Sequence, residues 1–386
     1  MRGGRLRARH RHRSFTWGRL CDAVRALNWL YCPGLPECLW PSSPSSPQAR
    51  VLHQLYQPVL QACRRGVYPD PREAQEDPPL PLPSFYAMPS SSYVPLQADK
   101  VSLPPPGAGA SADMLELLPP RLADLFASPD ALVNMPSAAE LRAVPAFMGV
   151  ADGQYAPFCR RLADSNMCLF RDSPPLVING VFAVPKGPDA QRFIVDMRPG
   201  NSCFQPPESV LLANPGVISE LHLPPGASLY VATADADNMY HRLRPPTWLQ
   251  DYMGLPPVNS DSVGLPGPSR TVYPVLTSCP MGFNWAVLLA QSIHERVLDE
   301  LPEHGPERRI APGGPPVIGP AGHLAYIDDY SAIGTDREAV NQNHSAAEFA
   351  LGAAGLPPKA SKSIPALPAV TADAPPAQSL GMEFWH

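Results

Sequence analysis

Apolar positions recur with two different periods along this chain, and each change of period marks an element. Residues 176–186 (LVINGVFAVPK) and 192–197 (RFIVDM) are β-rich runs separated by the turn Gly187-Pro188-Asp189, which predicts a hairpin. Residues 229–234 (LYVATA) form a continuous apolar strand that delivers Asp235 and Asp237 at its end, and 272–276 is another strand. Helical spacing takes over in 283–301, apolar at Ala286, Leu289, Ala290, Ile293, Val297 and Leu301 and closed by Pro302. Residues 337–352 repeat that period through Ala339, Val340, Ala346, Ala347, Phe349 and Ala350. Shorter helices are expected over 114–126, 137–144 and 155–169, and, nearer the start, over 17–31 and within 48–66, where Pro58 interrupts. Between the two long helices lies HLAYIDDYSAIG, residues 323–334, which reads as two short strands with Asp328 and Asp329 at the turn. A short run, 380–384, follows the last helix. This order of elements predicts an α+β fold, an antiparallel sheet with helices on one face.

Composition changes that picture mainly at the start. The 386 residues include 53 prolines, clustered at 78–83, 104–106, 312–320, 357–358 and 375–376, so these stretches are loops or extended segments. A hydrophobic share of 44% is enough for a core, and 17% charged residues is too few for a highly charged disordered chain. Residues 1–91 read as a basic, proline-rich, partly disordered region ahead of a folded region, 92–386. Arg2, Arg5, Arg7, Arg9, Arg11, Arg13 and Arg19 crowd the start without an acid among them. That arm suits nucleic acid, nuclear import or a transit peptide, or is a solvated basic tail. The net charge of −5 speaks against binding nucleic acid by overall charge alone. The 8 cysteines contain no CxxC and suit reduced thiols, no apolar run reaches the length of a membrane span, and no secretory h-region follows the arginines. The expected location is intracellular, cytoplasm or nucleus.

Candidate chemistry centres on the acidic hairpin. Two carboxylates in a half-buried hairpin are costly unless a cation compensates them, and hard divalent ions prefer oxygen ligands. Without partners the pair is a solvated acidic turn. If the strand ending at Asp235 lies beside the hairpin, three carboxylates converge as a two-metal site requires, with Mg²⁺ (or Mn²⁺) as the ion. Tyr240, five residues after Asp235, is placed to stack under a nucleotide sugar and exclude a 2′-hydroxyl; otherwise it is a core tyrosine. Lys186 and Arg192 suit a triphosphate, and Gly282 permits a close backbone approach to a ligand; alone they are solvated charges and a helix-start turn.

Six segments carry a resemblance. RFIVDMRPGN (192–201, with Asp196, Arg198 and Asn201), ATADADNMY (232–240), CPMGFNWA (279–286), YIDD (326–329), GLPPKASKS (355–363) and SLGME (379–383) resemble, in this order, the motifs of reverse transcriptases of retroelements. The resemblance covers about 92–386. It implies a polymerase right hand with fingers over about 92–225 and a palm over about 226–386, with no segment resembling a thumb. It further implies RNA-directed DNA polymerase activity, with Asp235 and Asp328 binding Mg²⁺ and Asp329 assisting by charge. Lys186, Arg192, Tyr240 and Gly282 would contact the nucleotide, Lys362 or Lys359 would protonate pyrophosphate, and Leu380 and Gly381 would grip the primer. The implied partners are an RNA or DNA template, a primer strand and dNTPs, with no membrane. Met281 departs from the glutamine frequent in the family. Two other readings stand beside this one: a domesticated relic that binds nucleic acid without polymerising, and an RNA-dependent RNA polymerase, against which Tyr240 and YIDD speak.

Overall fold

The computed structural model describes residues 93–312 and 319–367 and the backbone of one late hairpin, Ala377–Ser379 with Met382–Phe384. The helices expected within 17–31 and 48–66, and the primer-grip pair Leu380 and Gly381, lie outside the described residues.

The architecture is mixed α/β, with small sheets and helices. Its main elements in chain order are α1 (Pro120–Ala127), α2 (Tyr155–Asp164), β1 (Cys168–Arg171), β2 (Gly180–Pro185), β3 (Gln191–Asp196), β4 (Tyr230–Asp235), β5 (Thr271–Leu276), α3 (Ala286–Asp299), β6 (Gly322–Tyr326), β7 (Asp329–Gly334) and α4 (Arg337–Ala353). β2 and β3 form the expected hairpin. β4, β7 and β6 form a three-stranded antiparallel sheet in that order.

Period-two alternation gives this sheet two different faces. Ala232, Ala234, Ala325, Tyr330 and Ala332 point to one side and pack against Leu298 of α3 and Val340 and Ala347 of α4. Val231, Leu324 and Ile333 point to the other, where Val217 and Ile218 of a short helix, Pro215–Ser219, and Ile310 cover them. The long helices therefore share one face, as the sequence predicts, except that Phe349 of α4, expected on the apolar side, is exposed. The cover on the other face is too short a helix to show a period. A second, larger core joins Phe126 of α1, Phe158 of α2, Phe193 of β3 and Leu289 of α3.

Two expected helices are divided differently, and one connection was not expected. Residues 114–126 are two helices, Met114–Leu117 and α1, because Pro119 and Pro120 end the first and begin the second. α2 stops at Asp164; Asn166 turns the chain with φ 59°, and Cys168–Arg171 becomes a strand along β5. Beyond α4, residues 357–364 return to run antiparallel to β4, with Thr233 and Ile364 exchanging backbone hydrogen bonds of 2.9 and 2.8 Å.

On the helix-covered face of the sheet Tyr330 is fully buried, and its hydroxyl lies 2.7 Å from Nε2 of His304. The His304 and His323 rings stand 4.9 Å apart, and those of His294 and His344 approach Tyr330 at 6.4 Å. No helix among the described residues is long and apolar enough to cross a membrane.

Candidate active site

Antiparallel register brings the acidic residues together. Asp235, the last residue of β4, is the cross-strand partner of Asp329, the first residue of β7, so both project from the same face. The pairing continues one step further, where the Ala236 N–H donates to the Asp328 carbonyl at 2.8 Å. Asp328 shares the two-residue hairpin turn with Ile327. Asp235 is buried, while Asp328 and Asp329 are half-buried.

The cost of this arrangement shows in the proton affinities. Burial, then the charges of Asp328 and Asp235, push the Asp329 carboxyl up to about 6. Burial and Asp235 also raise Asp328, opposed by its own backbone N–H, Lys362 and Arg192. The cation that meets Asp235 directly is Lys362, whose ammonium donates to Oδ2. Lys359, the alternative lysine, instead donates its backbone N–H to the Asp235 carbonyl at 2.8 Å.

The hairpin turn is strained and clamped. Ile327 adopts φ 57°, a left-handed conformation that is unusual for a β-branched side chain. Gln291, buried on α3, accepts from the Ile327 N–H at 2.7 Å and donates to the Ala325 carbonyl at 3.1 Å and to Glu295 at 2.9 Å. One turn along α3, His294 Nδ1 donates to the Ile327 carbonyl at 2.9 Å. Sequence reading did not single out either residue. The available signal was a polar pair three residues apart on an apolar helix face.

Asn238, three residues beyond β4 and at φ 54°, caps the helical turn Met239–Arg242. The second acid of this segment, Asp237, is tied to the buried Arg242: a guanidinium NH2 reaches its carboxylate at 3.1 Å and Nε its carbonyl at 2.8 Å. Tyr240 is half-buried against the larger core. Burial, followed by Cys279, Asp328 and Tyr326, raises its hydroxyl, so the ring stands within the electrostatic reach of the hairpin. Behind it His241 stacks on Phe193, with centroids 5.0 Å apart and an interplanar angle of 13°.

The cations come from the β2–β3 hairpin. Lys186 donates to Ser102 Oγ at 3.1 Å. Burial, then Lys359 and Arg192, lower its ammonium, while Asp237 and Asp235 oppose that shift. Arg192 is exposed, opposite Val184. Lys186 thus feels Lys359 and Arg192 on one side and the acidic end of β4 on the other.

Gly282 has a structural reason of its own. Its φ is 120°, and a Cβ there would stand 2.1 Å from the Val195 carbonyl oxygen. The close approach it permits in this structure is to β3. Val195 N–H donates to the Met281 carbonyl at 2.9 Å, and the Asn201 side chain bonds the Gly282 carbonyl at 2.9 Å and the Asn284 N–H at 3.0 Å. Asp196 accepts two hydrogen bonds from the Arg198 guanidinium, at 2.8 and 2.7 Å, one from the Arg198 backbone N–H at 3.4 Å and one from the Phe147 N–H at 2.7 Å. Within the Asp-x-Arg-x-x-Asn segment, Asn201 therefore grips the segment around Gly282, while Asp196 and Arg198 hold each other and the Phe147 backbone.

Among the described residues no three His, Cys, Asp or Glu side chains form a ready metal-ligand set. Asp235, Asp328 and Asp329 nevertheless offer hard oxygen donors whose mutual repulsion a divalent ion relieves. Magnesium takes one or two carboxylates and completes its shell with phosphate oxygens and water, so the donor types fit.

Comparison with protein-family models and with curated proteins gives no match.

Proposed function

We propose that this chain is an RNA-directed DNA polymerase of the retroelement type, with the β2–β3 hairpin region as fingers and the β4–β7–β6 sheet as palm. The observation that carries the reading is the cross-strand pairing of Asp235 with Asp329 beside the Asp328 turn. Lys186 stands within electrostatic reach of Asp235, and Arg192 within reach of Asp328.

Asp235 and Asp328 would hold Mg²⁺ (or Mn²⁺), with Asp329 adding negative charge. When bound, the ions activate the primer 3′-hydroxyl and stabilise the leaving pyrophosphate. Lys186 and Arg192 bind the triphosphate of the incoming dNTP, Arg192 with the paired donors of its guanidinium. Tyr240 lies under the sugar and excludes a 2′-hydroxyl. The Gln291 and His294 clamp holds the hairpin still, which matters because reacting groups must be placed to within a fraction of an ångström. The macromolecular partners are an RNA or DNA template and a primer strand.

Primer extension on an RNA template with Mg²⁺ is the test. Wild type should incorporate dNTPs and Asp328→Ala should not; equal incorporation by the two sinks the assignment. RNA binding that needs no metal, with no incorporation by wild type, favours a binding relic instead. In the same assay Tyr240→Ala should raise the use of ribonucleotides relative to deoxynucleotides. An unchanged ratio places the sugar gate elsewhere.

A further inference from the structure

The contact between Lys362 and Asp235 joins a fixed anchor to a movable head. Residues 357–364 are stitched to the end of β4 by four backbone hydrogen bonds. Asp237 N–H donates to Pro357 at 2.9 Å, Lys359 N–H to Asp235 at 2.8 Å, and Thr233 and Ile364 exchange a pair at 2.9 and 2.8 Å. The backbone that carries Lys362 is therefore held in place. Its side chain is 51% exposed, whereas that of Asp235 is 10% exposed. The lysine can swing into solvent on its four-carbon stem, but the aspartate cannot leave. Asp235 Oδ2, the atom that the ammonium meets, is one of the two oxygens through which Asp235 can hold a divalent ion, and the ammonium charge opposes an ion on either of them.

We propose that Lys362 is a tethered counter-ion that competes with the divalent metal for Asp235, so that metal entry displaces its ammonium and frees it for the nucleotide phosphates. The inference rests on the polymerase reading, because it takes Asp235 as a metal ligand. Lys362 then has two successive roles. Before the metal binds, it offsets the charge of the three carboxylates and keeps the sheet end intact. After displacement, its reach is limited to the space around Asp235, where it meets phosphate oxygens. Loading the site becomes an exchange of one cation for another, which makes occupancy by metal and release of the lysine a single event.

The test is Mn²⁺ binding to the full chain without nucleotide, followed by electron paramagnetic resonance, for wild type, Lys362→Met, Lys362→Arg and Asp235→Asn. Removing the competitor should tighten Mn²⁺ binding by several-fold to about tenfold in Lys362→Met, since the ammonium is half-exposed and partly screened. Lys362→Arg keeps the charge and should stay within about twofold of wild type. Asp235→Asn should lose binding. Lys362→Met binding Mn²⁺ no more tightly than wild type overturns the counter-ion role and leaves the polymerase reading standing. Binding retained in Asp235→Asn, or absent from every variant, overturns the reading itself. A second measurement avoids the variants: after reductive ¹³C-methylation of wild type, the Lys362 resonance should move on adding Mg²⁺ and not on adding K⁺ to the same ionic strength. A resonance indifferent to Mg²⁺ overturns the displacement.

Discussion

Lowering the pH from 7 to 5 should cost the folded chain about 6 kcal/mol of stability. Four histidines carry this effect: His241, His294, His304 and His323 are all at most 2% exposed. Burial is the first cause in each, depressing His241 and His323 to about 3 and His294 and His304 to about 4. Neighbouring charge adds to it. Lys186 and Arg192 repel a proton on His241, with Asp237 opposing. His304, Arg309, His294 and Arg308 repel one on His323. Around His304, Glu303 and Asp299 attract a proton while Arg308 and His294 repel it. The carbonyl of Ile327 is the one group that favours protonation of His294.

Because each folded pKa lies below the ordinary 6.5, the unfolded chain takes up protons first. The stabilisation is complete above about pH 7 and is lost as the pH falls through 6.5 towards the folded values. At pH 5 each group has lost about 2 kcal/mol, so the four together remove about 8. Asp328, also raised by burial and Asp235, and more strongly Asp329 work in the opposite sense. The folded pKa of Asp329, about 6, exceeds the ordinary carboxylate value, so its protonation favours the fold and returns about 1–2 kcal/mol over the same interval. Urea unfolding at pH 7 and pH 5 measures the difference. A midpoint unchanged across that range would show that these rings are hydrated or paired in solution.

Gln291→Leu should destabilise the chain by about 3 kcal/mol and reduce nucleotide incorporation by about a hundredfold. The leucine fills a similar volume but leaves the Ile327 N–H and the Ala325 carbonyl without the bonds that Gln291 gives them. The left-handed Ile327 conformation then loses one of its two anchors on α3, with only His294 remaining. A turn relaxed towards ordinary backbone angles carries Asp328 away from Asp235, and a displacement of about 1 Å is enough for a loss of that size. Gln291→Glu keeps the acceptor for Ile327 and loses the donor, so it should fall between the two. Thermal unfolding and primer extension, run together, decide the matter. A leucine variant as stable and as active as wild type would mean that the turn holds its shape without the clamp.

Much of the sheet was legible because its alternation is clean. LYVATAD and HLAYIDDYSAIG each place their apolar side chains on faces that the structure buries, and a one-residue slip would reverse both faces. The convergence of Asp235 with the hairpin followed from that alternation once the strands were adjacent. Legibility failed where a single position serves two patterns. Leu162 and Leu169 fit one helical face seven residues apart, yet Leu169 belongs to β1, beyond the Asn166 turn. Pro119 and Pro120 carried a readable stop signal that the apolar spacing of 114–126 concealed. Gln291 and His294 are polar residues on an apolar helix face, and only the hairpin laid against α3 shows what they bond. Gly282 suggested an approaching ligand, and the approaching group is the carbonyl of Val195.

Residues 357–364 have one more consequence, for the order in which the molecule is made. They occupy the edge of β4 that faces away from β7, where backbone donors and acceptors would otherwise be open to any passing strand. A chain leaving the ribosome presents β4 more than a hundred residues before its cover, so that edge stays open while the helices and the acidic hairpin are still being made. The same late segment that seals it brings Lys362 to Asp235. Protection against misassociation and completion of the acidic centre therefore arrive together, in one closing contact.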